Sequence, residues 1–477
     1  MKFDGYMTRK IFWRKTIDQL LEATEGDKGL KRVIGTPGLL LMGIGAIIGA
    51  GIFILTGIAS AFYAGPAIII SFVIAGAACL FTALCYAEFA SMIPVAGSAY
   101  TYSYATLGEL LAWIIGWDLI LEYLVIVAAV AVGWSGYIVN IFTSLGFILP
   151  PQLINPPGVE GGIINIPAVL IIAGITWLLV RGAKQSSQVN TVIVVIKLSV
   201  ILLFITIGVN YINPANYHPF FPYGWSGVFK GAAIIFFAYI GFDAITTAAE
   251  EVKNPKRTFP IAILGSLFIS SILYIVVSGV LNGILPYYTF KQTAAPVAFA
   301  LAQLGINWAN IVISIGALCG ITSVLLVSFF GQSRVFFAMS RDGLLPEFFS
   351  QIHKDFRTPV NGIVIVGIVA SIIAAFLPIT ELAQLVNIGT LAAFIIVSAS
   401  IIILRKQKPD LKRPFKTPLV PLVPILAILF CLFLVSELPT ITHIRFVVWL
   451  VIGLGIYYFY GRKNSLLTGN KSNDISD

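Results

Sequence analysis

The chain has 477 residues, of which 58% are hydrophobic and 11% charged, and its mean hydropathy is +0.94. This composition excludes a water-soluble globular protein of ordinary make-up and is typical of a polytopic helical membrane protein. The net charge of +9 does not indicate nucleic-acid binding, because the basic residues are spread over short loops instead of forming one patch.

Twelve apolar segments follow one another along the sequence, each long enough to cross the hydrocarbon core as a helix of about 20 residues. A charged tail, 1–35, without the pattern of a cleavable signal peptide, precedes them, and a polar tail, 462–477, follows. The predicted spans are 36–60, 67–93, 107–142, 163–181, 187–209, 226–250, 259–284, 306–338, 360–377, 381–404, 420–437 and 443–461.

The charges of the loops predict the orientation in the membrane. Of 30 Lys and Arg residues, only Lys230, Lys291 and Arg445 fall in the loops of one side, and Lys197 lies inside a span. The remaining basic residues fall on the other side, which the positive-inside rule identifies as the cytoplasmic one. We therefore expect both termini in the cytoplasm and the chain in the cell membrane, with the lipid bilayer as its surroundings.

Glycine-rich interruptions in spans one and six, and unusually long spans three and eight, repeat at an offset of five. This spacing predicts two five-helix halves, 36–209 and 226–404, the second inverted relative to the first, with spans eleven and twelve (420–461) outside the repeat. Irregular backbone within a membrane survives only where it lines a protein or water cavity. The two interruptions therefore indicate a buried site for a small polar ligand, and a transporter.

The first interruption is the run 43–51. Gly45 and Gly49 are four residues apart and could form only a helix-packing face. The alternative is an unwound turn, since each glycine weakens a helix by about 1 kcal/mol. The amides of such a turn, and the positive end of a half-helix that starts near Gly51, would bind a carboxylate.

The second interruption is the run 236–243. Unwinding from Ala238 to Gly241 would free carbonyl groups that accept hydrogen bonds from an ammonium group, so the two interruptions together predict a receptor for a zwitterion. Phe237 beside this break is either an apolar lid over the ligand or an ordinary core residue.

Lys197 is a single ionisable residue in the middle of span five, about 15 Å from the cytoplasmic end of the helix. A charge at this depth costs about 3 kcal/mol or more, so it indicates a function. Because burial disfavours the charged amine, we expect Lys197 to load and release a proton during the transport cycle. The alternative is a fixed ammonium that holds spans one and eight together through their carbonyls.

Glu122 and Asp118 lie one turn apart on one face of span three. Glu122 is predicted to meet a cationic side chain of the substrate; the alternative is a structural carboxylate, paired with Lys197 or a tyrosine. Asp118 and Asp243 are candidates for a polar network on the inner pathway. The sequence shows no catalytic motif, no metal-ligand spacing and no P-loop, so neither an enzyme nor a cofactor nor a metal is expected.

Five motifs make the chain recognisable, and they extend from span one to span eight. With them the sequence resembles the amino acid, polyamine and organocation (APC) transporter superfamily, and it looks most like bacterial relatives of the cationic amino acid transporters. The motifs are GAIIGAGIF (45–53), CYAEF (85–89) with PVAGSAYTY (94–102), GWDLILEY (116–123), EEVKNPKR (250–257), and RVFFAM (334–339) with DG (342–343).

The resemblance implies a LeuT-type fold that binds an L-amino acid between spans one and six. It places the substrate carboxylate on amides of Gly49, Ala50 and Gly51. It places the ammonium on carbonyls near Ile47, Phe237, Ala238 and Ile240, with the aromatic ring of residue 237 closing over the ligand.

Further positions match or depart from the family pattern. Proton-coupled members have a lysine where Lys197 stands. Ala50 replaces a serine of many relatives, and Glu122 replaces the serine typical of the animal cationic carriers. Ser328 in span eight is small and could leave room for a long side chain.

These features predict proton-coupled uptake of L-amino acids by alternating access, with a cationic substrate such as arginine favoured and small neutral ones such as alanine also accepted. Two alternatives remain open, an amino acid exchanger without proton coupling and a membrane amino acid sensor. The sequence also leaves open whether a small membrane accessory subunit binds.

Overall fold

The computed structural model describes residues 34–95, 98–159, 161–181, 187–354, 356 and 358–465. Nearly all of the predicted amino-terminal tail and the end of the carboxy-terminal tail, 1–33 and 466–477, lie outside the described residues.

The described regular elements are helical, apart from one isolated bridge between Ile34 and Val252. The α-helices of eight residues or more are α1 Thr36–Ile47, α2 Ile68–Met92, α3 Ser98–Thr106, α4 Glu109–Ser144, α5 Ile166–Val180, α6 Ser187–Gly208, α7 Gly224–Ile235, α8 Pro255–Ile284, α9 Pro296–Gln303, α10 Asn307–Arg341, α11 Val360–Phe376, α12 Ile379–Gln407, α13 Leu422–Ser436 and α14 Thr440–Ile456.

Eight apolar segments in the described part of the chain are long enough to cross a membrane, and α5, α11 and α13 are shorter apolar helices. The first of the eight, Thr36–Met92, is 57 residues long and contains two of the predicted spans. The protein is therefore an all-helical, multi-pass membrane protein, as predicted. The number of twelve crossings, the domain boundaries and the inverted repeat remain predictions.

Local sequence signals explain where several helices begin. Pro37, Pro255 and Pro296 stand in the first turns of α1, α8 and α9, where a missing N–H costs no intrahelical hydrogen bond. At the start of α5 the Asn165 side chain accepts a hydrogen bond from the Ala168 N–H, at 3.2 Å. These signals, three prolines and one side-chain cap, account for where the four helices begin.

The longest helix, α4, lies at the centre of the molecule. It contacts α10 and α12 along much of its length, and α5 and α11 beside them. Helix α8 packs against α2 and α1. The interrupted segments that follow α1 and α7 are thereby enclosed by continuous helices, and they lie opposite the middle of α4.

The last helix, α14, is clamped to the first half of α4 by indole rings. Trp117 and Trp449 stack with ring centroids 4.4 Å apart, and each indole N–H donates to the main-chain carbonyl of the other residue, at 2.8 and 3.1 Å. Trp113 donates to the Gly453 carbonyl at 3.0 Å. Although α14 falls outside the predicted repeat, it is firmly attached to the central helix.

At the end of the molecule where α2 and α12 finish, a fully buried carboxylate joins three segments. Glu88 of α2 accepts two hydrogen bonds from Arg405 of α12, at 3.1 and 2.7 Å, and one from the Thr417 N–H at 2.7 Å. Arg413 of the following connection lies 3.2 Å from the same carboxylate. This paired and hydrogen-bonded cluster holds α2, α12 and the connection to α13 together.

Candidate functional site

The α-helix of the first membrane segment is interrupted within the glycine-rich run. Helix α1 ends at Ile47, and Ile48 adopts an extended conformation with φ −77° and ψ 105°. The chain becomes helical again at Ala50, and Gly51–Leu55 forms a wider, π-helical turn. The regular hydrogen-bond ladder is therefore broken at Ile48 and Gly49, which leaves main-chain groups on both sides free for other partners.

The second interruption follows α7. Phe236–Tyr239 forms a 3₁₀ turn, Ile240 is extended with ψ 139°, and Gly241 has φ +122°, a conformation that only glycine adopts readily. A side chain at Gly241 would also place its Cβ 2.6 Å from the Ala46 carbonyl oxygen. Glycine is required here both by its backbone conformation and by the close approach of α1.

The two interruptions pack directly against each other. A Cβ atom at Gly51 would lie 2.3 Å from the Cα of Ala238, so the two backbones touch at this point. Glycine thus allows close packing, as the helix-packing interpretation holds. The contact lies where the helical hydrogen bonds of both segments are interrupted. The two interpretations of the glycine run are therefore not exclusive.

A cavity of about 30 Å³ lies between the interruptions, α4 and α10. Nine of the twelve predicted site residues line it: Ile47, Gly49, Ala50, Gly51, Glu122, Phe237, Ile240, Asp243 and Ser328. Ala238 lies behind Gly51, and Lys197 and Asp118 stand outside the lining. The space holds about one water molecule, so an amino acid would enter only after the walls separate.

Several lining residues were not predicted, and helical periodicity could have found them. Ile126 and Val130 follow Glu122 at intervals of four on α4, and Val324 precedes Ser328 by four on α10. Side chains at this spacing share one face of a helix. These residues make most of the wall apolar, with Glu122 and Asp243 as its acidic members.

Lys197 is fully buried and holds the end of α1 to α10. Its ammonium donates to the carbonyls of Gly45 and Ile48, at 2.8 and 2.9 Å, and to the Ser323 hydroxyl at 3.0 Å, with the Gly320 carbonyl at 3.4 Å. These contacts are those of the fixed-ammonium interpretation. The predicted role in proton transfer stays a prediction.

Tyr274 of α8 joins the two interruptions through its hydroxyl group. The oxygen lies 3.0 Å from the Ile47 carbonyl and 2.6 Å from the Ala238 carbonyl. Both carbonyls belong to the set predicted for the substrate ammonium. Tyr274 is not among the predicted site residues, because a tyrosine within an apolar span carries no local signal of such a role.

The three acidic residues have different surroundings. Glu122 is buried and lines the cavity, and it forms no ion pair with Lys197 although both residues are described. Asp243 accepts a hydrogen bond from the Gly241 N–H at 3.3 Å, and so supports the second interruption. Asp118 faces Gly389 of α12, and its Oδ1 atom is buried without a hydrogen-bond partner. The inner-pathway role of Asp118 and Asp243 remains a prediction.

The described residues contain no group of three or more His, Cys, Asp and Glu side chains that could hold a metal ion. What the site offers is main-chain carbonyls and amides, two carboxylates (Glu122 and Asp243) on a mostly apolar wall, and a buried ammonium behind the first interruption.

Comparisons with known proteins identify the family of this chain. The family model described as amino acid permease matches residues 34–459. A branched-chain amino acid permease of Bacillus subtilis, BcaP, is 51% identical and covers 97% of this chain and 100% of its own length. A methylthioribose transporter of the same organism is 47% identical, over 95% of this chain and 99% of the relative. Cationic amino acid transporter 4, vacuolar, of Arabidopsis thaliana is 38% identical over 83% of this chain and 67% of the relative.

All three relatives are named as permeases or transporters, and none as an enzyme. The chain belongs to the amino acid permease family, within the APC superfamily that its motifs resemble.

Proposed function

We propose that this protein is a secondary active transporter that carries free L-amino acids across the cell membrane by alternating access. The observation that carries the proposal is the pair of interrupted helices whose backbones touch at Gly51 and Ala238, beside a cavity. Main-chain amides of the first interruption would bind the substrate carboxylate, and carbonyls of both interruptions would bind its ammonium.

The proposed architecture is a LeuT-type fold with twelve crossings, two inverted five-helix halves and both termini in the cytoplasm. The offset of five spans between the interruptions supports the inverted repeat. The scarcity of Lys and Arg in the loops of one side supports the orientation.

Binding in this proposal opens a closed site. Because the cavity holds only about 30 Å³, the walls have to part before an amino acid fits. The substrate ammonium would then replace the Tyr274 hydroxyl at the carbonyls of Ile47 and Ala238. A ligand that binds only the opened arrangement shifts the population toward it, as alternating access requires.

Two substrate classes follow from the wall of the cavity. Ile126, Val130, Val324 and Val327 favour a branched aliphatic side chain, in line with the name of the branched-chain permease that is 51% identical. Glu122 favours a cationic side chain, in line with the name of the plant relative. We propose branched-chain amino acids as the first candidate and keep arginine, the preference expected from the sequence, as the second.

Proton coupling would act through Lys197. Its ammonium donates to two carbonyls at the end of α1, so loss of the proton would remove one of its three N–H donors and its positive charge, and would weaken the connection between that end and α10. Coupling would follow if the protonated lysine and the bound substrate favour the same conformation; a shift from 1:99 to 99:1 needs about 5.5 kcal/mol from the two together.

The test is transport by the purified protein in liposomes. We expect labelled isoleucine to accumulate when the outside is made acidic, and unlabelled branched-chain amino acids to compete for this uptake more strongly than arginine. Exchange that proceeds equally well without a pH gradient, with no net accumulation, would identify the exchanger instead, and binding without translocation would identify the sensor. Transport of methylthioribose with no amino acid competing would contradict the proposal, because that compound has neither a carboxylate nor an ammonium group.

A further inference from the structure

A second and larger cavity lies away from the interruptions. It measures about 370 Å³. Its lining comes from Tyr63, which lies between α1 and α2, from α7, from the start of α12 and from the connection between α13 and α14. It shares no lining residue with the central cavity. The loop charges place it on the outer side of the membrane, opposite the cluster around Glu88.

Two opposite charges line this outer cavity without neutralising each other. Lys230 of α7 and Glu437, just after α13, both face it, and no ion pair within 4.0 Å joins them although both residues are described. On the same side of the molecule, Arg445 and Glu381 do pair, at 2.7 Å. Lys230 and Glu437 are thus available to a ligand that carries a charge of each sign.

The walls of the outer cavity are held in place by hydrogen bonds. Gln384 accepts from the Thr442 hydroxyl at 3.2 Å, which ties α12 to α14. The ring nitrogens of His443 lie 3.1 and 2.9 Å from the carbonyls of Pro439 and Val435, on the two sides of the connection that carries Glu437. A site whose walls are already ordered loses less conformational entropy on binding.

The chemistry of the lining matches a free amino acid. Tyr63, Ile234 and Leu438 form its apolar part, with Lys230 and Glu437 as its charged part. The volume falls at the small end of the range for ligand sites, about 300 to 1,000 Å³. We propose that this outer cavity is a second amino-acid site, in which Lys230 binds the carboxylate and Glu437 the ammonium of the zwitterion.

The outer site is connected to the central one through α7. Ala233 and Ile234 line the outer cavity, and their carbonyls accept hydrogen bonds from Asn387 of α12, at 2.7 and 3.1 Å. Phe237, which lines the central cavity, stands one turn further along the same chain. An amino acid captured at the outer site therefore lies about one helical turn from the residue predicted to close over the substrate. This role as a capture site rests on the proposed transport of amino acids.

The test measures occupancy of the outer site directly. The reporter is Ser436→Cys, at an exposed position of the lining, in a chain with Cys319→Ser; the other cysteines are buried. Gly51→Val is added to disable the central site. With isoleucine at about ten times its dissociation constant, labelling by a membrane-impermeant thiol reagent should slow about tenfold. Lys230→Gln or Glu437→Gln should remove this protection, and Lys291→Gln, a lysine outside the cavity, should not.

Two results would overturn the proposal: labelling that isoleucine and arginine leave unchanged, or protection that depends on an intact Gly51 and not on Lys230. Thr440→Cys, also in the lining, provides an independent reporter if Ser436→Cys folds poorly. Protection in the Gly51→Val chain, combined with no amino acid transport by the chain that keeps Gly51, would refute the proposed transport while leaving the outer site standing, so the two failures are distinguishable.

Discussion

At both interrupted helices, main-chain groups freed by the break need hydrogen-bond partners, and different side chains supply them. At the first, carbonyls freed at the end of α1 are held by the ammonium of Lys197. At the second, the carbonyls that end α7 are held by the neutral amide of Asn387, and the Gly241 N–H is held by Asp243 on the same segment. Tyr274 contacts both. Among the residues that the structure describes, only the first interruption is tied to another helix by a titratable cation, which makes it the proposed point of proton control.

Gly51→Val should have the largest effect, because it destroys the contact between the interruptions. A Cβ at residue 51 would overlap the Ala238 backbone, so the two segments have to separate and the carboxylate site is blocked. We expect substrate affinity, measured by binding of labelled isoleucine, to fall at least about 100-fold. Gly174→Val is the control, since nothing lies within 4 Å of its Cβ. Unchanged affinity in Gly51→Val would remove the central site from this location.

Lys197→Ala tests whether the first interruption responds to protons. It removes the donor to two buried carbonyls, which should cost about 1 to 3 kcal/mol for each carbonyl left unpaired. We expect accumulation driven by a pH gradient to disappear while exchange of isoleucine persists at a reduced rate.

The control for that experiment is Lys291→Ala, a lysine that is predicted to lie on the outer side. Full accumulation against a gradient by Lys197→Ala would leave the lysine with only the structural role that its contacts describe.

Glu122→Gln distinguishes branched-chain from cationic substrates. It changes the wall of the cavity formed by α4, which is not part of either interruption. If Glu122 meets a guanidinium group, arginine affinity should fall at least about tenfold, with isoleucine affinity unchanged. Competition binding of both amino acids to the same preparation measures the difference. Equal affinities for arginine before and after the substitution would rule out the contact and leave the apolar wall as the main determinant.

Tyr274→Phe should produce the smallest change, because one hydroxyl group is removed and the ring is kept. Without this donor the carbonyls of Ile47 and Ala238 are unpaired in the closed site, which should lower the stability of the substrate-free protein by about 1 kcal/mol. The thermal shift caused by substrate should become larger, since the ammonium then supplies the missing donor. A smaller shift would indicate that Tyr274 helps to position the bound substrate, and that the substrate ammonium does not replace its hydroxyl group at these carbonyls.

The positions of the interruptions were predictable because they follow from local rules. Glycine is a poor helix former, and the absence of water in the hydrocarbon core restricts irregular backbone to cavities. For this reason Gly49, Gly51, Phe237 and Ile240 were predicted, and the structure brings them to one cavity. The place of Glu122 on the same wall also followed from its depth in span three.

Other parts of the site could not be predicted from the residues, because they depend on which segments become neighbours. Nothing local shows that Tyr274 reaches both interruptions, or that Asp118 faces Gly389 while Glu122, one turn away, faces the cavity. Lys230 and Glu437 are more than two hundred positions apart in the chain, so the outer cavity has no signature in the sequence.

The sequence by itself determined that this chain is a helical membrane protein with two weak points in its apolar helices and one buried lysine. Those properties arise from side-chain polarity and from backbone propensity, which act over a few residues. Only the tertiary structure decided which donors satisfy the freed carbonyls, how little space the central site leaves, and that a second cavity is lined by charges of both signs. Those properties arise from packing between distant segments, where differences of a few tenths of an ångström decide whether a hydrogen bond forms.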